Sequence, residues 1–189
     1  TLSFVRQNGD TSLPYKAEAG DVYGNFSLRT LQASLKGGKL ELQPATEGPR
    51  HSILVVAGVD DPSWRHLYAR HWTGGASWLV ALGPLQQFSA NVVYNKRDAD
   101  EQSATPERRQ TVASLAADYS WLPVPNHKLH LEGELAGLQG DHDGFQDATG
   151  AIVPGSGTDR RGQGVFGQLS GGPVAGPYDY KLRYDRYDR

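Results

Sequence analysis

From Tyr178 to Tyr187 the chain alternates: Tyr178, Tyr180, Leu182 and Tyr184 are interleaved with Asp179, Lys181, Arg183 and Asp185. Successive side chains of a β-strand point to opposite faces, so as a strand this segment has one aromatic face and one charged face. Helical spacing would scatter the same charges all round. The rhythm recurs in Gln87 to Arg97, where Phe88, Ala90, Val92 and Tyr94 oppose Gln87, Ser89, Asn91 and Asn95. It recurs from Thr111 to Trp121, with Leu115, Ala117, Tyr119 and Trp121 opposite Ser114, Asp118 and Ser120, and again where Leu129, Leu131 and Leu135 face away from His130, Glu132 and Glu134. Weaker strands are expected at Tyr15 to Tyr23, Ala33 to Gln43, Ser52 to Val59, Arg65 to Gly83 (kinked at Gly74-Gly75) and Gly162 to Gly171. Pro106 to Ala117 opens like a helix, but the period-two residues that follow favour a strand. The expectation is all-β, with eight or nine strands and no helix.

The links between strands add a second regularity. Gly83 to Gln86, Pro123 to Asn126 and Gly172 to Pro177 are short, whereas Lys96 to Arg109 and Gly140 to Arg161 are long and polar. In an up-and-down antiparallel sheet successive links fall at opposite ends, so the long links share one end. Bacterial outer-membrane barrels have this asymmetry, with strands of ~9–11 residues.

Composition is compatible with such an object. Only half of each barrel strand meets lipid, so a mean hydropathy of -0.55 is no obstacle. No run approaches the ~20 apolar residues of a membrane helix. Lys+Arg 19 against Asp+Glu 21 leaves a net charge of -2, which excludes a nucleic-acid binder held by bulk charge. Cys is absent, which removes disulfides, thiolate metal sites and thiol nucleophiles. Met is absent even at position 1, and the chain ends inside an alternating pattern; the expectation is a piece of a longer or processed product. Aromatic residues gather near strand ends, and Trp64, Trp78, Tyr94, Tyr119, Trp121 and Tyr178 are the expected interfacial set. Such rings favour the headgroup level because the ring is apolar while its N–H or O–H stays wet.

Two stretches carry a resemblance. Ala19-Gly20-Asp21-Val22-Tyr23-Gly24-Asn25-Phe26-Ser27-Leu28, followed by Leu35-Lys36-Gly37-Gly38-Lys39-Leu40-Glu41-Leu42, resemble a run in large bacterial outer-membrane β-barrel proteins, where an acidic Gly-Asp turn and a Lys/Arg-Gly-Gly/Ala step lead into barrel strands. The likeness is a loose motif over these residues and one of strand-and-loop style downstream. Such barrels commonly end on an aromatic residue and this chain ends in Arg189, a departure that fits a segment of a larger barrel.

Chemical sites are sparse. His130, Glu132 and Glu134 form a row on one strand face, which could hold a divalent metal or share protons, but a hydrated polar lumen or solvent face is the favoured reading. His66, Arg70, His71 and Trp72 could form an anion or sugar subsite, but the favoured account is strand residues paired with interfacial aromatics. Asp141, Asp143 and Asp147 offer Ca²⁺ ligands without the spacing of an EF-hand. Gly155-Ser156-Gly157 lacks the Lys-Ser/Thr of a phosphate loop. Arg108-Arg109 and Arg160-Arg161 flank long links, where they would solubilise the loop ends or contact acidic lipopolysaccharide.

The resulting expectation is an antiparallel up-and-down meander over residues 1–189, forming a transmembrane β-barrel or a segment of one in the bacterial outer membrane. His130, Glu132, Glu134, Asp179, Lys181, Arg183 and Asp185 would line its lumen. Its function would be transport, export or anchoring, without catalysis, cofactor or metal. Its partners would be outer-membrane lipid, lipopolysaccharide and other envelope proteins, and no nucleic acid. The alternative is a secreted or periplasmic β-sandwich that binds glycan through its four Trp and nine Tyr. The direction of the tyrosines separates the two: a band around the outside, or burial between two sheets.

Overall fold

The computed structural model describes residues 3–27, 30–60, 71–98, 107–140, 145–146, 152–153, 160–176 and 178–188. Ten strands form one sheet in chain order: β1 (Ser3–Asn8), β2 (Tyr15–Asn25), β3 (Gln32–Leu42), β4 (Arg50–Val59), β5 (His71–Gly83), β6 (Gln86–Arg97), β7 (Arg108–Val124), β8 (His127–Gly140), β11 (Arg160–Pro173) and β12 (Tyr180–Asp188). Between β8 and β11 a small separate hairpin pairs β9 (Phe145–Gln146) with β10 (Ile152–Val153). Every neighbour in the large sheet is antiparallel. The all-β meander is as the alternation predicts. Closure is not: β1 and β12 are edges that pair with no further strand among the described residues.

Two strand expectations need adjustment, and the preference for a strand after Pro106 is met by β7. β1 has no alternating pattern to announce it and forms by laying Ser3–Asn8 against Tyr15–Gly20. In β5 no break occurs at Gly74-Gly75, whose register against Tyr94 and Val93 is continuous. The glycine at 75 makes room instead, since a Cβ there would come within 2.7 Å of both the Phe26 ring and the Val92 carbonyl oxygen. The helix-like start at Pro106 leads into β7, one of the most extensively paired strands of the sheet.

From Gly83 onward the meander sorts the links by length as expected; upstream it does not, since 26–31 is shorter than 43–49. Residues 9–14, 43–49, 84–85, 125–126 and 174–179 lie at one end, and the links that follow β2, β4, β6 and β8 lie at the other. The turn at 125–126 uses Asn126 at φ 63°, a left-handed conformation that asparagine tolerates and two-residue hairpins require.

The sheet is strongly curled. Laid flat, β2 and β8 would stand roughly 29 Å apart at ~4.8 Å per strand, yet Ser27, two residues past the end of β2, bonds to Glu134 of β8 at 2.6 Å. Gly20, Gly37 and Gly58 face one another in register across β2, β3 and β4. A Cβ on Gly37 would collide with the Ala57 carbonyl oxygen, and one on Gly58 would meet the Lys36 carbonyl oxygen at 2.7 Å. Gly20 adopts φ 122°, which L side chains avoid. Such a glycine row lets a sheet bend sharply where side chains would otherwise hold the strands open.

Burial lies mainly on the concave side, with Val59, in register with Lys36 and Trp72, buried on the other. Val22, Leu35, Val56 and Val93 alternate onto the concave face and, with Leu31, form the small apolar core, against which Phe26 and Ala33 pack. The opposite face is uncovered: Trp72, Trp78, Phe88, Val92, Tyr94, Leu115, Leu131, Leu135, Leu182 and Tyr184 are all exposed, Leu115 by 62%.

Gly37→Ala is therefore expected to cost about 1–3 kcal/mol through overpacking, read as a lower denaturant midpoint. Gly137→Ala, at a position with nothing within 4 Å, should stay within about 0.5 kcal/mol of the parent.

Candidate functional site: the polar concave face

The register fixes which side chains share the concave face. Across β8, β11 and β12 it aligns His130 with Ser170 and Lys181, Glu132 with Gln168 and Arg183, and Glu134 with Phe166 and Asp185. Six of the seven expected lumen residues therefore lie in three adjacent rows. Asp179 precedes β12 and sets its carboxylate over Gly172, whose neighbour Gly171 lies in the row beside His130. The arrangement follows from period two: residues two apart in a strand are neighbours on one face. Arg183 uses this to pair with Asp185 at 2.6 Å and also lies over the Phe166 ring, 5.4 Å from its centre. Lys16 and Glu18 of β2 pair likewise at 2.6 Å, with Lys39 across on β3 at 3.9 Å from the same carboxylate. His130 shares its Nδ1 between the Ser120 hydroxyl at 2.8 Å and the Asp118 carboxylate at 3.4 Å. Charges of both signs thus alternate around the face and largely neutralise one another.

The interior of that face is lined by small neutral groups. Asn91 is a buried hub: its side-chain oxygen accepts from Ser77 Oγ at 2.6 Å, while its amide nitrogen donates to Ser114 at 3.1 Å and to Ser89 at 3.3 Å. Thr73 donates to Asn95 at 2.8 Å. The β2–β3 link completes the network by folding back over the face. Phe26 and Leu31 close it with a backbone bond at 3.0 Å, the Phe26 amide donating. Ser27 and Thr30 then donate to Glu134 Oε1 at 2.6 and 2.9 Å, and Thr30 contacts the Ser114 hydroxyl at 2.5 Å. Glu134 is only 5% exposed, so this carboxylate exchanges water for protein hydroxyls. A cavity of about 260 Å³ remains beside the link, lined by Phe26, Ser27, Gln87, Ser89, Asp118 and Glu132 among others.

The aromatic residues face the other way. Trp78 and Tyr94 are exposed on the convex face, and Tyr119 and Trp121 share that face, their rings 5.5 Å apart. Tyr178 is exposed in the link before β12. Trp78 donates Nε1–H to His51 Nδ1 at 3.2 Å and stacks on it, and His127 stacks on Tyr180 with its Nε2 2.9 Å from the hydroxyl. Trp64 lies outside the described residues, as do His66, Arg70, Asp141, Asp143, Asp147, the 155–157 segment and the side chain of Arg160. His71 and Trp72 are adjacent on β5 and so point to opposite faces, as strand residues do. No group of three His, Cys, Asp or Glu side chains suited to a metal occurs among the described residues. His130 is held instead by Ser120 and Asp118.

Sequence reasoning found the charged rows and missed the neutral network. Ser77, Asn91 and Ser114 stand at alternating positions on the polar face, but nothing local signals that they meet across three strands. The chain matches no protein-family model, no curated protein and no solved structure.

Because Asn91 is buried and fully engaged, Asn91→Ala should destabilise by about 1–3 kcal/mol through the partners it leaves unpaired. Gln87→Ala, exposed on the same face of the same strand, should fall within about 0.5 kcal/mol. Urea unfolding of the two variants measures the difference.

Proposed function

We propose that this chain is a segment of a bacterial outer-membrane β-barrel, its convex face toward lipid and its concave face lining an aqueous conduit used in transport or export. The observation that carries the reading is the pairing of an uncovered apolar convex face with a polar concave one over ten consecutive strands. A single soluble domain rarely leaves so much contiguous apolar surface bare, whereas lipid solvates it at no cost.

The dimensions are compatible. From Tyr94 to Gln86, the residue paired with Tyr119, β6 covers about 27 Å at ~3.4 Å per residue. A tilt of ~40° reduces that to about 20 Å between aromatic bands, near the ~25 Å apolar height of such barrels. Several charges on the convex face are in ion pairs toward the long-link end: Asp21–Lys36 at 2.6 Å, Lys96–Asp98 at 2.7 Å and Glu107–Arg109 at 2.6 Å; Arg6 of β1, in register with Ala17, also lies on that face. The mixed signs on the concave face favour passage of polar solutes without strong ion selectivity. The glycan-binding sandwich has less support, because the described residues contain no second sheet packed on the first and the tyrosines of the convex face are exposed.

Fractionation tests the reading directly: the product carrying this chain should remain with outer membranes through carbonate or urea washing and migrate differently on gels before and after boiling. In vesicles containing brominated lipid, a variant retaining Trp78 alone should lose most of its fluorescence. Full fluorescence together with recovery in the soluble fraction would refute the membrane assignment. Charge reversal at Lys181 or Arg183 should change single-channel conductance, and unchanged currents would count against a conduit.

A further inference from the structure

We infer that the concave face carries an oxyanion-binding site near its long-link end, built from Arg97, Arg108, Asn95 and Gln110. The register brings these groups together. Arg97 of β6 pairs with Arg108 of β7 and with His71 of β5, and one row down the face Asn95 pairs with Gln110 and with Thr73. Alternation puts both rows on the concave side: Thr73 is buried there against Asn95, and His71 and Arg97 stand two residues further along their strands. His71, Asn95, Arg97, Arg108 and Gln110 are all half-buried.

Two like charges directly opposite one another on neighbouring strands destabilise a sheet unless negative charge lies between them. The strands that carry this row do not supply it. β5 and β6 contain no Asp or Glu. Along β7 the first carboxylate on this face is Asp118, ten residues from Arg108 and roughly 34 Å away at ~3.4 Å per residue, whereas salt screens charge over ~10 Å. Asp98 and Glu107 belong to the convex face, where they pair with Lys96 and Arg109. On the β4 side stands Asp60, exposed beyond the strand end, with His71 between it and Arg97. Arg97 makes no ion pair among the described residues.

The neutral members add donors. Gln110 Nε2 is buried without a hydrogen-bond partner among the described residues. The Asn95 side-chain oxygen already accepts from the Thr73 hydroxyl at 2.8 Å, so that amide has its nitrogen left to offer. N–H donors beside two guanidiniums match the lone pairs of a phosphate or carboxylate, which an arginine holds through two parallel bonds. An oxyanion in this place relieves the repulsion between Arg97 and Arg108 and satisfies Gln110 together. Binding depends on these side chains alone; its consequence for passage rests on the conduit reading.

Calorimetric titration of the purified product with inorganic phosphate, and separately with acetate, tests the site. Saturable binding is expected, and the tighter of the two probes identifies the oxyanion class. Arg97→Gln should weaken binding about tenfold or more, the scale of a lost charge-assisted bond, and Gln110→Ala severalfold. Arg97→Lys keeps the charge without the fork and should fall between the parent and Arg97→Gln. Lys96→Gln removes the same charge from the opposite face of β6 and should leave affinity unchanged. Equal affinities in the parent and Arg97→Gln would overturn the site, as would an equal loss in Lys96→Gln or no saturable binding of either probe at millimolar concentration. Chloride currents through the full product in planar bilayers separate this inference from the conduit. Oxyanion binding without current refutes the conduit and leaves the site standing; current without oxyanion binding refutes the site and leaves the conduit.

Discussion

One constraint governs this molecule: an extended sheet with an apolar face needs something to cover that face, and among the described residues no other element does so. Helices or a second sheet usually supply the cover in globular domains. Here the described residues contain a single large sheet and one two-residue hairpin. Among the described residues burial of apolar side chains is consequently slight: Val22, Leu31, Leu35, Val56 and Val93 form the core cluster, and Val59 and Phe166 are buried apart from it. The stability of such a sheet comes from its ladders of backbone hydrogen bonds and from whatever solvent meets its convex side. A hydrocarbon solvent reconciles the two, because it strengthens the ladders by excluding water and accepts Leu115, Leu135 and Leu182 without penalty.

The concave face answers a complementary demand. Polar side chains brought together by curvature lose water and must find partners. The ion pairs of β2–β3 and β12 do this near the rims, and the Ser77–Asn91–Ser114 chain does it in the interior. The β2–β3 link fills what would otherwise be a wider groove, and its hydroxyls satisfy Glu134. The glycine row at Gly20, Gly37 and Gly58 belongs to the same solution: without the bend it permits, Ser27 could not reach across to β8.

Much of this architecture is legible in the sequence because a strand's two faces are written as period two. Tyr180, Leu182 and Tyr184 lie opposite Lys181, Arg183 and Asp185 in the structure as in the pattern, and from Gly83 onward the order of link lengths follows from a meander. The pattern fails where a strand has no alternation to display, as in β1, whose Phe4 and Val5 are adjacent. It also misreads Gly74-Gly75 as a kink, since a glycine that bends a strand and one that admits a distant Phe26 ring look alike in one dimension. The neutral network was illegible for a related reason: a serine on a polar face carries no mark of whether it meets water or a buried Asn91. Nor could any local rule foresee that Ser27 and Thr30, in a short link between strands, would turn inward to a carboxylate more than a hundred residues away.

The two free edges sharpen the choice of environment. β1 and β12 each present a row of backbone N–H and C=O groups without a ladder partner among the described residues. In water such edges are tolerable, since solvent satisfies them, but the exposed convex face then is not. In hydrocarbon the face is at ease, but each unpaired backbone group costs several kcal/mol. No single environment therefore suits both features of the isolated sheet. The conflict disappears when the edges are paired, either to each other or to further strands, so that the ladder runs uninterrupted around a closed wall. On the proposed membrane reading, residence in lipid and closure of the barrel are thus one requirement: were the convex face to meet lipid, the backbone groups of β1 and β12 would need partners to complete the wall.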